Sequence, residues 1–329
     1  MNDGRRAQRG IVILVLLELA LLALVFSALV VPNFNFAEAV VNSSNVTVTT
    51  LLQVGNVFPE VLNVTIDNDA TSVDLVPNAT KTVTVYVIAR DFNGENDIIN
   101  VTAEFFDMAS SSFGAADDNN NHYTNNSCTI DTTYGDIYEI NATCTFEVWY
   151  YANNATWNAT VTVIDNSSLN DTGSDTISVS VLLALGLPDS IDYGTVNATA
   201  VSDEQLANVT NFGNTMFNLS LSGYAVTPGD GNAMNCTLGA VKNISIEYEK
   251  YNVTASNPGS LTLAQFESLY RNLTSSSVIN EFNLDYRRND TAPYIDDTNA
   301  SYWRIYVPLG VAGSCTGNIV FGSVVGAAT

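Results

Sequence analysis

Polar and apolar residues alternate along much of the chain beyond residue 40, and this period of two predicts β-strands. Clear runs are Val46–Thr49, Thr82–Val87, Thr160–Val163 and Ile177–Val181. Strict alternation means that one face of each strand is buried while the other meets water. Most of the chain beyond residue 40 is therefore predicted to be β-structure.

Turn signals separate the predicted strands, at Phe92-Asn93-Gly94, at Pro228–Gly231 and at Asn257-Pro258-Gly259. Short strands with turns at intervals of roughly 8 to 12 residues are typical of antiparallel sandwiches. The last apolar run, Asn318–Val325, is predicted to be a closing strand, since it is too short for a membrane span.

Only residues 260–273 show helical spacing of apolar residues. Ser260 or Thr262 offers a hydroxyl that can cap the start of this helix. The residues on its apolar face are Leu263, Phe266, Leu269, Tyr270 and Leu273.

We predict three regions along the chain. Residues 1–39 hold a tip, a hydrophobic helix and a short linker, and residues 40–183 hold the first β-sandwich domain with an N-terminal extension. Residues 184–329 hold the second sandwich domain, and the boundary lies in the segment 184–190, which contains Gly186 and Pro188. A polar loop at residues 109–127 lies inside the first domain.

The most apolar part of the chain is residues 11–31, which carry one charge, Glu18, and are long enough to cross a bilayer as a helix. Arginines at positions 5, 6 and 9 precede this segment, and no base follows it before Lys81. The positive-inside rule predicts a cytoplasmic N-terminus and an extracellular remainder at the cell surface, with the membrane as a partner of residues 11–31.

Three fates remain open for this helix. It can stay as an anchor, or it can be a secretory signal cut after Ala37-Glu38-Ala39, which has the small-x-small form. It also resembles an archaeal prepilin leader, because Arg9, Gly10 and Ile11 place a base and a small residue before the apolar helix. Cleavage after Gly10 would free the helix to pack against copies of itself in a filament. Glu18 would be the eighth mature residue, whereas type IV pilins usually carry their glutamate at the fifth.

The net charge of −23 comes from a shortage of bases, with 34 acidic residues against 11 lysines and arginines. Phosphate binding depends on clustered Lys and Arg. Beyond the apolar segment, the only such pair is Arg287-Arg288. Nucleic acid is therefore excluded as an expected partner.

The chain contains 20 Asn-x-Ser/Thr sequons among 39 asparagines, whereas its composition would give roughly 7 by chance. All follow the apolar segment, and in 15 the middle residue is apolar. On a strand, such a residue points inward while Asn and the hydroxyl face solvent. We expect N-linked glycans at Asn42, Asn45, Asn63, Asn78, Asn100, Asn125, Asn141, Asn154, Asn158, Asn166, Asn170, Asn197, Asn208, Asn218, Asn235, Asn243, Asn252, Asn272, Asn289 and Asn299.

Four cysteines allow three disulfide pairings, and export permits disulfides to form. The predicted domain boundary places two cysteines in each half. We therefore predict the pairs Cys128–Cys144 and Cys236–Cys315. Metal binding is the weaker interpretation, because the chain has no C-x-x-C spacing and a single histidine.

No motif for a catalytic or cofactor site is present, so we expect a non-enzymatic protein without a cofactor or resident metal. The single histidine, His122, lies in an asparagine run and is predicted to be a loop residue. Two acidic turns, Asp67–Asp69 and Asp91–Asp97, have oxygen donors at alternate positions that suit calcium, although an Asx-rich hairpin turn explains both. Aromatic residues at 149–151, 157 and 302–303 suit a sandwich core better than sugar stacking.

Strand and turn patterns recur in both parts of the chain beyond residue 40. They lie at Val54–Val57, Lys81–Val87, Asp91–Gly94, Phe146–Tyr151, Trp157–Asp165, Ser190–Val196, Val209–Asn214 and Ser301–Pro308. With these patterns, residues 53–325 resemble archaeal cell-surface proteins that carry tandem immunoglobulin-like sandwiches. It implies a mainly β fold, in which an N-terminal hydrophobic helix precedes two immunoglobulin-like antiparallel sandwiches, and it supplies no catalytic residues.

Three functional hypotheses follow. The first is an anchored, glycosylated surface protein with a structural or adhesive role. The second is a pilin-like filament subunit assembled through residues 11–31. The third is a secreted protein that binds or cleaves glycans.

Overall fold

The computed structural model of the chain describes residues 47–288 and 297–326. The chain divides after Val54 into two units, and every helix and strand named below belongs to residues 55–329. The predicted hydrophobic helix at residues 11–31, with Gly10, Ile11 and Glu18, lies outside the described residues. Strands make up 49% of the structure and helices 5%, which confirms the mainly β prediction.

The first half of the chain, here residues 55–184, contains nine strands in two sheets. The four-stranded sheet has the order β1-β3-β7-β6, and the five-stranded sheet has the order β2-β9-β8-β4-β5. The strands are β1 (Glu60–Ile66), β2 (Ser72–Val73), β3 (Thr80–Arg90), β4 (Ile98–Asp107), β5 (His122–Asn125), β6 (Thr129–Asp131), β7 (Glu139–Trp149), β8 (Thr156–Asp165) and β9 (Asn170–Val179). All pairings are antiparallel except β2 with β9, which is parallel and departs from the predicted antiparallel pattern.

Alternate side chains of these strands build one core between the two sheets. On β3 the buried residues are Val83, Val85, Val87 and Ala89, and the polar residues between them face outward. Trp157 of β8 lies at the centre, with its ring 4.8 Å from that of Phe105. The predicted strands at Thr82–Val87 and Thr160–Val163 are therefore confirmed, with the predicted faces buried. The strand predicted at Ile177–Val181 ends at Val179, and Val181 is exposed.

In the second half of the chain, the described residues 185–288 and 297–326 form eleven strands in three sheets, of orders β10-β11-β18-β15-β16, β17-β12-β20 and β14-β13-β19. The strands are β10 (Leu185–Gly186), β11 (Gln205–Asn211), β12 (Phe217–Tyr224), β13 (Asn232–Gly239), β14 (Asn243–Ser245), β15 (Glu249–Asn252), β16 (Arg271–Asn272), β17 (Val278–Leu284), β18 (Thr298–Ile305), β19 (Val311–Thr316) and β20 (Asn318–Val325). The closing strand has the predicted bounds. The predicted division of the sandwiches at residue 184 stays a prediction.

The side chains of these three sheets pack into two hydrophobic cores. The larger core lies between the first two sheets and is centred on Trp303, whose ring contacts those of Tyr251 and Phe321. The smaller core lies under the third sheet and includes Cys236 and Ile305. Since a simple sandwich has two sheets, the third sheet is a difference from the fold that the resemblance implied.

Two segments whose sequence has a strand-like pattern contain no strand. Residues 47–59 contain no strand, although Val46–Thr49 alternates, and residues 190–196 contain none either. Residues 47–54 are all exposed. Alternation marks a residue pattern that suits a strand, but a strand also needs a neighbour that accepts its backbone hydrogen bonds.

The predicted helix is present but shorter than its pattern. Helix α1 spans Leu263–Leu269, and short 3-10 helices lie at Glu95–Asp97 and Ile246–Tyr248. Thr262 and Gln265 form a capping box at the start of α1. The helix ends because residues 271–272 pair with β15 as strand β16. Within the described parts of the chain, no helix has the length and apolar character that crossing a bilayer requires.

Two disulfides join Cys128 to Cys144 and Cys236 to Cys315, the pairs chosen from the sequence. Cys144 lies in β7, and Cys128 directly precedes its partner strand β6. Cys236 and Cys315 lie directly opposite each other on β13 and β19. Stable disulfides indicate an oxidising, extracellular environment.

The two disulfides close loops of different length, with sequence separations of 16 and 79. We expect the Cys128→Ala/Cys144→Ala variant to lose about 3 kcal/mol of unfolding free energy and the Cys236→Ala/Cys315→Ala variant about 4.5 kcal/mol, because a longer closed loop restricts the unfolded chain more. Denaturant unfolding of both variants checks the order. A larger loss for the shorter loop would contradict it.

One carboxylate is buried in the second half. Glu249, the first residue of β15, has 2% of its surface exposed. Its Oε1 accepts a hydrogen bond of 2.9 Å from the Tyr193 hydroxyl, and its Oε2 has no hydrogen-bond partner. Burial raises the pKa of Glu249 to about 7, although the Tyr193 hydrogen bond lowers it.

The raised pKa makes stability depend on pH. The folded chain holds the Glu249 proton up to about pH 7, whereas the unfolded chain releases it near the ordinary value of 4.5. Stability is therefore lost as pH rises from 4.5 to 7. We expect Glu249→Gln to remove this loss, worth about 3 kcal/mol above pH 7, as measured by denaturant unfolding at pH 5 and pH 8. The exposed Glu247→Gln is the control, and identical profiles for the two variants would contradict the assignment.

Candidate functional sites: the sequon positions and a carboxylate cluster

Seventeen of the 20 sequon asparagines lie in the described residues, and all 17 are at least partly exposed. The other three, Asn42, Asn45 and Asn289, lie outside them. The exposed asparagines are Asn63, Asn78, Asn154, Asn166, Asn170, Asn197, Asn208, Asn235, Asn243, Asn272 and Asn299, and the half-buried ones are Asn100, Asn125, Asn141, Asn158, Asn218 and Asn252.

Buried asparagines occur in the same structure, but they do not begin sequons. The described residues contain four of them: Asn120, Asn211, Asn214 and Asn280. Each amide makes hydrogen bonds inside the protein; that of Asn214, for example, donates to the carbonyls of Ala152 and Ser180 at 3.0 Å each. Burial of asparagine is therefore confined to positions where the amide has a structural partner and the motif is missing.

The strand geometry explains how so many sequons coexist with packed cores. In ten described sequons the middle residue is buried while the asparagine remains accessible. In strand β8, for example, Asn158 and Thr160 face outward while Ala159 is fully buried between them. The ten buried middle residues are Val64, Val101, Ala142, Ala159, Val209, Leu219, Cys236, Ile244, Val253 and Leu273.

One sequon has a buried hydroxyl. Ser301, the third residue of the Asn299 motif, is completely buried in β18. Its hydroxyl donates to the Ala207 carbonyl at 3.0 Å and accepts from the Trp303 indole at 2.9 Å. This hydroxyl is therefore inaccessible in the folded chain, in contrast to those of the Asn197 and Asn235 motifs, which are exposed.

The prediction of His122 as a loop residue is wrong. His122 begins β5, is completely buried and stacks on the Phe106 ring at 5.6 Å. Its Nδ1 lies 3.0 Å from the Ser111 hydroxyl, and its Nε2 lies 3.4 Å from Glu104 without a hydrogen bond. The pairing of β5 with β4 carries the imidazole inward, so it anchors the loop at residues 109–121 against the sheet.

The aromatic residues at positions 149–151, 157 and 302–303 lie mainly in the interior. All three tryptophans belong to the described residues, with Trp157 and Trp303 fully buried and Trp149 half-buried against Tyr151. Tyr150 and Tyr151 are also buried. This placement favours the core interpretation of these residues.

The two acidic turns have different outcomes. In the turn at Asp67–Asp69 all three residues have positive φ, which Asp and Asn tolerate in turns, and Asp67 accepts a hydrogen bond from the Thr84 amide of β3. The turn at 91–97 instead brings two carboxylates beside a third. Asp91, Asp97 and Asp165 are the one group of three potential metal ligands found in residues 47–288 and 297–326.

The three carboxylates come from the ends of separate elements. Asp91 directly follows β3, Asp97 ends the first 3-10 helix, and Asp165 ends β8. One ligand atom of each lies within 4.8 Å of the other two. Asp91 and Asp165 are completely buried, and Asp97 is half-buried.

Part of this cluster is satisfied by the turns that contain it. Oδ1 of Asp91 accepts from the Asn93 amide at 2.7 Å, and Oδ1 of Asp165 accepts from the amides of Ser167 and Leu169 at 2.8 Å each. Oδ2 of Asp165 accepts from the Asn56 side chain at 2.5 Å. In contrast, Oδ2 of Asp91 and Oδ2 of Asp97 are buried without a hydrogen-bond partner.

The charges of the cluster are not balanced by a base. None of the salt bridges of the described residues involves these three carboxylates; nearby Arg90 pairs with Glu139 instead. Burial raises the pKa of Asp91, and the charges of Asp97 and Asp165 raise it further, while the Asn93 amide lowers it. The sequence indicated the 91–97 turn, but nothing in the sequence placed Asp165 beside it.

The chain is similar to several solved structures but to no known family. No family model and no curated protein matches the chain. Similar solved structures include carbohydrate-binding modules of the β-sandwich superfamily (12% identity, 81% of this chain and 96% of that chain, TM-score 0.25). A second is the chaperone–tip adhesin complex of CFA/I fimbriae, with 10% identity over 79% of this chain and 78% of that chain and a TM-score of 0.27. A third is Escherichia coli alpha-2-macroglobulin activated by porcine elastase, with 10% identity over 79% of this chain and 22% of that chain and a TM-score of 0.24. At these TM-scores the similarities carry no argument about function.

Proposed function

We propose that the chain is a glycosylated, non-enzymatic structural or adhesive protein of the cell surface, held there by its hydrophobic segment at residues 11–31. The observation that carries this proposal is the placement of the sequons. Every described sequon asparagine reaches the surface, although buried asparagines occur elsewhere in the same sheets. A surface with many accessible sequon asparagines suits a glycosylated protein that faces the outside of a cell.

Two further features support an external role. The two disulfides suit an oxidising compartment, and the three arginines before residue 11 favour export of everything that follows. Glycans on the outer faces of strands would also cover sheet edges that are otherwise open to pairing with other chains. An archaeal source is proposed from the sequence resemblance alone.

A second candidate is a pilin-like filament subunit, and the Arg9-Gly10-Ile11 sequence favours it. In that case copies of the chain would pack through residues 11–31, and the two sheet-rich halves would lie on the outside of the filament. Glu18 departs from the usual pilin position, so the mature N-terminus decides between anchor and filament.

N-terminal sequencing of the mature protein tests both candidates. We expect an intact Met1 for a membrane anchor, since the helix is then retained with its basic tip. A start at Ile11 would support the filament subunit. A start near Val40 would contradict both candidates and favour secretion. Surface labelling of intact cells is the matching control for export.

Glycopeptide mass spectrometry of the native protein tests the glycan-bearing surface. We expect glycans at Asn197 and Asn235, where both the asparagine and the hydroxyl of the motif are exposed. If modification follows folding, Asn299 remains unmodified, because the Ser301 hydroxyl is buried and hydrogen-bonded on both sides. Bare asparagines at all 17 described sequons would contradict the proposal.

A further inference from the structure

The cluster of Asp91, Asp97 and Asp165 is not explained by the proposed surface role. These residues lie where the ends of β3 and β8 meet the short 3-10 helix, on the same side of the first sandwich. We propose that the three carboxylates bind a calcium ion and that the ion fastens this end of the sandwich. The proposal is independent of glycosylation and of the fate of the N-terminal helix.

Without a cation, the cluster would bury negative charge that nothing balances. Asp91 and Asp165 are completely buried, and Asp97 lies against both. Burying a carboxylate is expensive unless it is paired with a positive charge or coordinates a metal. Because no salt bridge of the described residues reaches the cluster, a bound cation would supply the positive charge that the cluster lacks.

Two buried oxygens of the cluster also lack a hydrogen-bond partner. Turn hydrogen bonds occupy Oδ1 of Asp91 and of Asp165, as in ordinary Asx turns. An Asx turn alone therefore explains one oxygen of each side chain. It leaves Oδ2 of Asp91 and Oδ2 of Asp97 buried and unpartnered within the same cluster. Buried polar atoms are normally hydrogen-bonded, so this pair indicates a missing ligand.

The chemistry of the three groups indicates which kind of cation they would bind. All three groups are carboxylates, and no histidine or cysteine belongs to the cluster, so the site suits a hard cation rather than zinc or copper. Calcium binds oxygen at 2.3–2.6 Å, which places opposite ligands about 5 Å apart. The 4.8 Å span of the cluster fits within this diameter. The Asn56 side chain, which donates to Asp165 Oδ2, lies beside the cluster.

The consequence of binding follows from what the site joins. Asn56 contacts Asp165, and the Val57 amide donates to Asn93 Oδ1 at 2.8 Å, so residues 56–57 lie across the cluster. The Asn166 amide also donates to the Asp97 carbonyl at 2.8 Å. A cation would hold the 91–97 turn, the β8–β9 turn and the segment at 56–57 in one arrangement, and its removal would loosen all three.

Calorimetric titration of the full-length purified protein with CaCl2, after treatment with EDTA, tests the proposal. We expect saturable binding and a higher melting temperature with calcium than with EDTA, because a ligand of the folded state stabilises it. Magnesium is titrated in parallel and should bind more weakly. The Asp91→Asn and Asp97→Asn variants should each raise the calcium Kd by at least about tenfold, the loss seen when a supporting residue of a metal site is removed.

The matched control is Asp69→Asn, which changes one acid in the other acidic turn and should leave calcium binding unchanged. A sign reversal separates a metal site from a merely structural cluster. In EDTA, Asp91→Asn should melt at a higher temperature than the wild type, because it removes an unbalanced buried charge; in calcium it should melt lower. Absence of calcium binding, or binding that survives both Asp91→Asn and Asp97→Asn, would overturn the proposal.

Discussion

Strands β3 and β7 pair over eleven consecutive positions, and the side chains that they turn inward are almost completely buried. This burial of every second residue is the constraint on which the rest of the first half depends. The inner positions must be apolar and of suitable size, while the outer positions are free of the core. Asparagine and threonine can therefore occupy the outer face at high density without loss of packing.

The same constraint links fold and proposed function. A sequon spans three residues, so on a strand its first and third side chains share the outer face and its middle side chain enters the core. Asn141-Ala142-Thr143 in β7 and Asn208-Val209-Thr210 in β11 follow this arrangement in the two halves. A glycan at an exposed site such as Asn208 would extend from the outer face of the sheet, while the middle residue of the motif stays in the core.

Polar groups in the interior follow the opposite rule, since each must find its partners inside the protein. Arg304 of β18 is completely buried, and its guanidinium donates to the carbonyls of Ser202, Asn257 and Gly259 and to the Tyr270 hydroxyl. These hydrogen bonds tie a core strand to two connecting segments. Buried charges usually have such partners. Glu249 Oε2 and His122 Nε2 also lack a hydrogen-bond partner, but Asp91 and Asp97 place two such oxygens in one cluster of carboxylates, an arrangement that a cation would satisfy.

The sequence by itself determined the features that depend on local pattern: the alternating strands, the closing strand at Asn318–Val325, the capped start of α1 and the accessible faces of the sequons. It did not determine the third sheet of the second half, the end of α1 at Leu269, the burial of His122 or the approach of Asp165 to the 91–97 turn. Each of these depends on which strand lies beside which, and alternation is the same for every candidate neighbour. Only the tertiary structure decided them, because strand pairing joins residues far apart in the chain.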